Sequence, residues 1–342
     1  MGLGRHVTSK AWIRSPAFDL LWISGPGIFS VLFVLALQAR GVDLGAVSPW
    51  SWLLLIVGVD VAHVYSTVFR TYLHPETRKR RNALLWAIPV ACWMVGMLLY
   101  TWGAEVFWRA LAYLAVFHFI RQQYGFLRIY SRKESSVGWK RLDATLLTAS
   151  TVLPLLHWHV EGREYAWFVA GDFIGLPDVF PMRLFWVGYA VLWCVYLWRA
   201  TRVFNLPKTA LLASTALSWI LGIVVWKGDL AFTLTNVIAH GIPYLALVWH
   251  AQERETQSRG LRFAAVSVAA LLALVVFAYF EEGLWDAWVW GDRPQLFPWT
   301  DGWLPVKDSA LLACLVPLLA LPQAVHYVLD GFIWRAKDRP LG

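Results

Sequence analysis

Charge is scarce in this sequence. Only 15% of its 342 residues are Asp, Glu, Lys or Arg, while 58% are hydrophobic and mean hydropathy is +0.52. Soluble domains carry about a quarter charged residues, so a soluble globular chain is excluded. No stretch is polar enough for a separate soluble domain. Cysteine is equally thin: Cys92, Cys194 and Cys314 lie far apart inside apolar runs, which excludes a disulfide framework or zinc-finger spacing. A cleavage signal after the first apolar run is missing, so that run reads as a retained helix rather than a signal peptide. The MG start lacks the Ser or Thr expected for myristoylation. No internal repeat is visible, which argues against a transporter built from duplicated halves.

What the sequence has is a series of apolar runs near the ~20 residues needed to cross a bilayer as helix. They predict an all-α, polytopic integral membrane helix bundle of about ten transmembrane helices, with 1–342 as one transmembrane domain. The expected spans are 18–39, 48–69, 83–102, 104–126, 143–160, 180–203, 208–227, 230–251, 262–284 and 308–333. Charge alternates across them. With the N-terminus inside, the inner segments hold 22 of the 30 Lys and Arg, including ETRKRR at 76–81. The outer segments, such as EEGLWDAWVWGDRPQ at 281–295, are mainly acidic. This asymmetry predicts both termini in the cytoplasm, in the inner (plasma) membrane of a bacterium. It also assigns the net charge of +8 to membrane topology, so no nucleic-acid partner is expected. Most of the 23 tryptophans fall near span ends, where interfacial anchoring accounts for them.

Topology gives the polar residues inside the spans a depth. VDVAHVYSTVFR puts Asp60 and His63 three apart in the second span. HFIRQQYG at 118–125 puts His118, Arg121 and Gln122 in the fourth. NVIAHGIPY brings Asn236, His240 and Tyr244 at four-residue steps in the eighth, and QAVHYVLDGFIWR brings His326 and Asp330 in the tenth. Counting at ~1.5 Å per residue from the arginines at the inner ends places all four histidines roughly 10–20 Å below the inner edge. Ionisable groups at that depth cost several kcal/mol and by default mark a functional site. A single histidine of this kind is more often polar glue between helices. Four at one depth, two with a carboxylate a turn away, argue for convergence.

Imidazoles with carboxylates and no thiolate suit iron, zinc or manganese, with iron favoured here. His63, His118, His240 and His326 are the expected metal ligands, with Asp60 and Asp330 as ligands or as the groups that orient the rings. Gln122 and Asn236 are candidate supporting partners. Arg121, Gln122 and Tyr244 are the candidate catalytic residues, Arg121 expecting either Asp330, a carbonyl or a substrate headgroup as its partner. Pro243 and Gly241 should kink the eighth span and open space beside His240. A single haem would use two of the four histidines and leave the others without a role. His6 and His74 read as solvated, His157 and His159 as interfacial, and His250 as a substrate-entry or supporting residue.

The helix VDVAH (59–63) and the His118–Phe119 pair some 55 residues on resemble short segments of the bacterial Brp/Blh-type carotene-cleaving oxygenases, polytopic proteins with single intramembrane histidines as iron ligands. The likeness covers only those segments: a PHGxxDH segment and a late HxxxH are absent, as are the HxxxH and HxxHH boxes of membrane desaturases. The outer halves of spans two, four and ten are apolar, so a site open to one side is expected. Together these features lead to the expectation of a metal-dependent membrane oxidoreductase, a desaturase, hydroxylase or cleaving oxygenase, acting on a membrane lipid or isoprenoid. An electron-donor protein at the basic cytoplasmic loops is the expected partner. The alternatives are a zinc-dependent membrane lipid hydrolase and a proton-coupled or metal-ion transporter.

Overall fold

A computed structural model describes residues 12–161, 167–256 and 260–333. Helices occupy all ten expected positions, and no strand occurs among the described residues. We number them α1 (Pro16–Trp22 and Gly25–Ala39), α2 (Pro49–Arg70), α3 (Pro75–Trp102), α4 (Ala104–Tyr130), α5 (Val137–Glu161), α6 (Met182–Ala200), α7 (Leu206–Val225), α8 (Asp229–Thr256), α9 (Leu261–Trp290) and α10 (Ser309–Leu319 and Leu321–Ile333). Several start where the sequence supplies both a cap and a rigid first turn. Ser15, Ser48, His74 and Asn205 each accept a backbone N–H of the following turn, and a proline follows within two residues.

Five helices, α2, α3, α7, α8 and α9, are long and apolar enough to cross a membrane, and α1 and α10 make seven if each bent pair is one crossing. The bends are 46° and 44°. The helices α4, α5 and α6 lack an apolar window of that quality. Charged residues interrupt α4 and α5, and α6 is rich in Trp and Tyr. Both chain ends lie outside the described residues.

Burial separates an inner from an outer set. The apolar window of α8 is 78% buried, whereas that of α9 is 11% and that of α3 is 17% buried. The outer helices expose Trp86, Val95, Leu98, Leu272 and Phe277. A soluble protein would hide such side chains; in a bilayer they are the lipid-facing surface. The central helix α8 is therefore the one around which a polar site is screened from lipid.

Two helices reach that centre through widened turns. Residues Leu53–Val61 of α2 and Thr233–Val237 of α8 are π-helical. Each π turn inserts an extra residue and rotates the face that follows. His63 comes two residues after the first and His240 three after the second. The irregularity in α8 thus precedes His240, whereas a kink at Pro243 was expected; Pro243 sits inside the continuous helix Ile238–Thr256. Gly241 serves a different end. A Cβ there would meet Val59 Cγ1 at 3.0 Å and His63 Nδ1 at 3.4 Å, so glycine lets α2 press against α8 beside the histidines.

Candidate metal centre

Four helices each bring one imidazole to one point. His63 (α2), His118 (α4), His240 (α8) and His326 (α10) are all buried, and each offers a ring nitrogen such that these atoms lie within 4.8 Å of one another. Ring centroids are 4.9 Å apart for His63–His240 and His118–His240, 5.0 Å for His63–His326 and 4.5 Å for His118–His326. Metal–nitrogen bonds run ~2.0–2.1 Å, so donors on one central ion lie at most ~4.2 Å apart, a little closer than the 4.8 Å that bounds this set. The cluster could hold a metal ion.

The lone pairs argue in the same direction. Both ring nitrogens of His63 and of His240, with Nε2 of His118 and of His326, are buried without a hydrogen-bond partner among the described residues. Buried polar atoms are nearly always satisfied, and each neutral ring has one lone pair to give, so four open ring nitrogens in one place suit a single ion.

The hydrogen bonds around His326 fix which of its nitrogens is free. Tyr244 donates its hydroxyl proton to Asp330 Oδ1 at 2.7 Å. Its oxygen is then the acceptor for Thr67 Oγ1, 2.9 Å away. The Thr67 oxygen in turn lies 2.6 Å from His326 Nδ1 and accepts its proton. His326 is therefore protonated on Nδ1 and presents a bare Nε2 lone pair, the tautomer a metal ligand requires. The His240 ring stacks on Phe119, centroids 3.7 Å apart and planes within 8°, which locks its orientation.

The carboxylates stand one step back. Asp60 Oδ1 is 3.5 Å from His63 Nδ1, and Asp330 is 3.8 Å from His118 Nε2 and 3.9 Å from His326 Nδ1. Gln122 donates to the His240 carbonyl at 3.2 Å, and its Oε1 is buried without a partner. Tyr244 is fully buried and acts through Thr67 and Asp330. Asn236 bonds the Ser218 carbonyl and Thr235 instead of a histidine ring.

Arg121 departs from expectation. It is exposed, and its guanidinium lies 5.3 Å above the Tyr124 ring rather than at Asp330. At 100° per residue, a three-residue step from His118 falls about 60° short of a full turn, enough to move a long side chain off the histidine face. The other histidines stay apart from the cluster. His250 packs on Phe18, His157 pairs with Glu161 and His159 bonds Tyr113. His74, expected to be solvated, is buried: it caps α3 and contacts Glu255 at 2.8 Å. His6 lies outside the described residues.

Sequence reasoning missed the roles of Thr67 and Phe119 at the rings, and also the Glu281–Gln323 pair away from them. Glu281 is buried on α9, where it accepts from Gln323 Nε2 at 2.9 Å and Trp285 Nε1 at 3.3 Å. It falls within the expected span 262–284 and was also counted with the outer acidic segment 281–295, whereas the helix continues to Trp290 through a closing π turn. The signal available was the pair Glu281–Glu282 directly after an uninterrupted apolar stretch.

Comparison with family models, curated proteins and solved structures finds no match. The likeness to carotene-cleaving oxygenases remains confined to the short segments named above.

Proposed function

We propose that this chain is a polytopic membrane metalloenzyme, its ten helices crossing the bilayer with both termini cytoplasmic, and that it is an oxygen-dependent oxidoreductase acting on a lipid or isoprenoid. The observation that carries the reading is the convergence of four buried imidazoles with six unpartnered ring nitrogens. His63, His118, His240 and His326 hold the metal; imidazole suits several transition ions alike, and iron is the one that the proposed oxygen chemistry calls for. Bound iron would supply dioxygen activation, which histidines alone cannot. Thr67, Tyr244 and Asp330 keep His326 in its ligating tautomer, and Phe119 fixes the plane of His240. Asp60 holds the orientation of His63. Arg121, exposed and off the histidine face, is the group we assign to a substrate headgroup carboxylate or phosphate.

A site walled by apolar helices suits a substrate dissolved in the membrane, and dioxygen is itself enriched there. The decisive comparison is of lipid extracts from a deletion strain and its parent, grown with and without oxygen, alongside the identity of the metal that copurifies. An oxygen-dependent product lost on deletion, with iron in the protein, supports the reading. Bound zinc with an oxygen-independent lipid change supports the zinc-dependent hydrolase instead. An unchanged lipid profile with altered metal or proton uptake overturns both enzymatic readings.

The transporter reading gains one specific observation. The expected one-sidedness rested on the apolar outer halves of α2, α4 and α10, whereas α9 adds Glu281 and Glu282 on that side of the bundle.

A further inference from the structure

Beside His240 lies a small polar cavity, where the bend of α1 meets α4, α7 and α8. It leaves about 10 Å³ for the centre of a water molecule, and its wall includes Gln123, Ser214, Thr215, Ser218, Asn236 and His240. A side chain at Gly27 would run into the Ser214 and Ser218 hydroxyls, so glycine lets α1 press on α7 and close that wall. A space of this size holds about one water, and a polar lining keeps it wet.

Most donors on the wall are already spent. The Ser214 hydroxyl donates to the Ser24 carbonyl at 2.7 Å, Ser218 to the Ser214 carbonyl at 2.6 Å, and Thr215 to Gln123 Oε1 at 3.2 Å. Asn236 Nδ2 donates to the Ser218 carbonyl at 3.4 Å and to Thr235 Oγ1 at 2.9 Å. A carbonyl only accepts, so this contact fixes which way the Asn236 amide faces and leaves Oδ1 as its open acceptor. That atom and both ring nitrogens of His240 are buried without a partner among the described residues, and each residue is only 2% exposed. When one ring nitrogen of His240 ligates, the other carries the proton and needs an acceptor. His326 gives its proton to Thr67, and His63 has Asp60 at 3.5 Å; His240 has no such side chain.

We propose that this cavity binds one water, which accepts the His240 N–H and donates to Asn236 Oδ1, and that Asn236 thereby sets the tautomer of His240. The inference rests on the metal-binding reading above and deepens it. Ligating histidines almost always give their second N–H to a carboxylate, a carbonyl or a water. A buried water makes about three hydrogen bonds, and the hydroxyl oxygens of the wall can accept its second proton. The widened turn Thr233–Val237 that precedes His240 also carries Asn236, so one irregularity of α8 brings both residues to the cavity. Asn236 is a positioning residue: it acts on the centre through water and His240 and offers no ligand itself.

The test uses the full chain in detergent, stripped of metal by chelation and titrated with Co²⁺ alone against a chelator of known affinity. Asn236→Leu removes the acceptor and should weaken Co²⁺ binding by ~10–100-fold, the usual loss with an orienting partner, while excess Co²⁺ restores the wild-type stoichiometry. Asn236→Asp keeps an acceptor oxygen but loses the amide nitrogen that bonds Ser218, and should bind Co²⁺ at least as tightly as the wild type. Ala239→Val fills the cavity from α8 with Asn236 and His240 in place and should repeat the loss; it carries the test should an Asn236 variant not fold. Wild-type affinity in Asn236→Leu or in Ala239→Val overturns the water-held tautomer and leaves the metal centre standing. Equal losses in Asn236→Leu and Asn236→Asp also overturn it, by making the bond to Ser218 the one that matters. A wild-type protein that takes up no Co²⁺ overturns the metal centre and this assignment together.

Discussion

Two buried polar clusters in this molecule look alike in composition and differ in how they are satisfied. At the α5–α6–α7 ends, Arg199 contacts Glu134 at 2.6 Å and Asp143 at 2.8 Å, while Lys208 contacts both at 2.7 Å. Two positive and two negative groups close a ring in which every charge has two partners, and Asn205 adds a further hydrogen bond to Glu134. Its chemistry is spent. The histidine cluster is as deeply buried, yet six of its ring nitrogens have nothing to bond. Burial of a polar group therefore does not distinguish the two clusters, whereas the open ring nitrogens do.

The comparison breaks first if the quartet proves dispensable. Lys208→Met leaves Asp143, fully buried, with one partner gone, and should cost about 3–5 kcal/mol of stability. Thermal unfolding in detergent measures this, and the folded fraction should keep its full metal content. In contrast, His240→Leu in metal-free protein should be neutral or stabilising, because it removes unpaired polar atoms instead of stranding a protein partner.

A second prediction sharpens the histidine side. Thr67→Val deletes the link between Tyr244 and His326 without touching a ligand. Loss of such an orienting partner typically costs 10–100-fold in metal affinity, and competition with a chelator of known affinity reads it. Unchanged affinity would show that the tautomer of His326 is not set by this chain of hydroxyls.

The third concerns pH and the quartet. Burial raises the Glu134 carboxyl, but the Lys208 ammonium and then the Arg199 guanidinium outweigh it and hold it below its ordinary value of 4.5. A carboxylate with a depressed folded value contributes stability that is present above the unfolded value and lost as pH falls through the folded one. The Tm difference between wild type and Glu134→Gln should accordingly be full at pH 7 and shrink below about pH 4.5. A difference constant down to pH 3 would remove Glu134 from the ion ring.

The smallest effect is at Arg121. As an exposed residue stacked on Tyr124, its change to Gln should move stability by no more than about 0.5 kcal/mol and leave metal content unchanged. If it meets a substrate headgroup, apparent KM rises while kcat holds.

Much of the histidine centre was legible because helical period and loop charge both leave marks in sequence. The pairs Asp60–His63 and His326–Asp330 follow the three- and four-residue spacing of one helical face, and the basic loops set their common depth. The contributors that were missed leave no such mark. Thr67 and Gln323 are polar residues that also occur as ordinary helix-packing side chains; only the approach of α8 and α10 to α2 gives Thr67 its partners, and that of α9 to α10 gives Gln323 its own. Glu281 was counted with the acidic outer segment 281–295, although it lies inside the regular helix Leu261–Trp285. Arg121 was misplaced because spacing alone cannot tell a 60° offset from a shared face when the side chain is long.

The most direct measurement is metal stoichiometry of the purified full-length protein by elemental analysis, after exposure to iron, zinc and manganese salts and removal of loosely held ions. The four-histidine centre predicts about one transition metal per chain in the wild type. It predicts none in the folded variant carrying His63→Ala, His118→Ala, His240→Ala and His326→Ala. A wild-type protein free of metal, or a quadruple variant that retains it, would contradict the account.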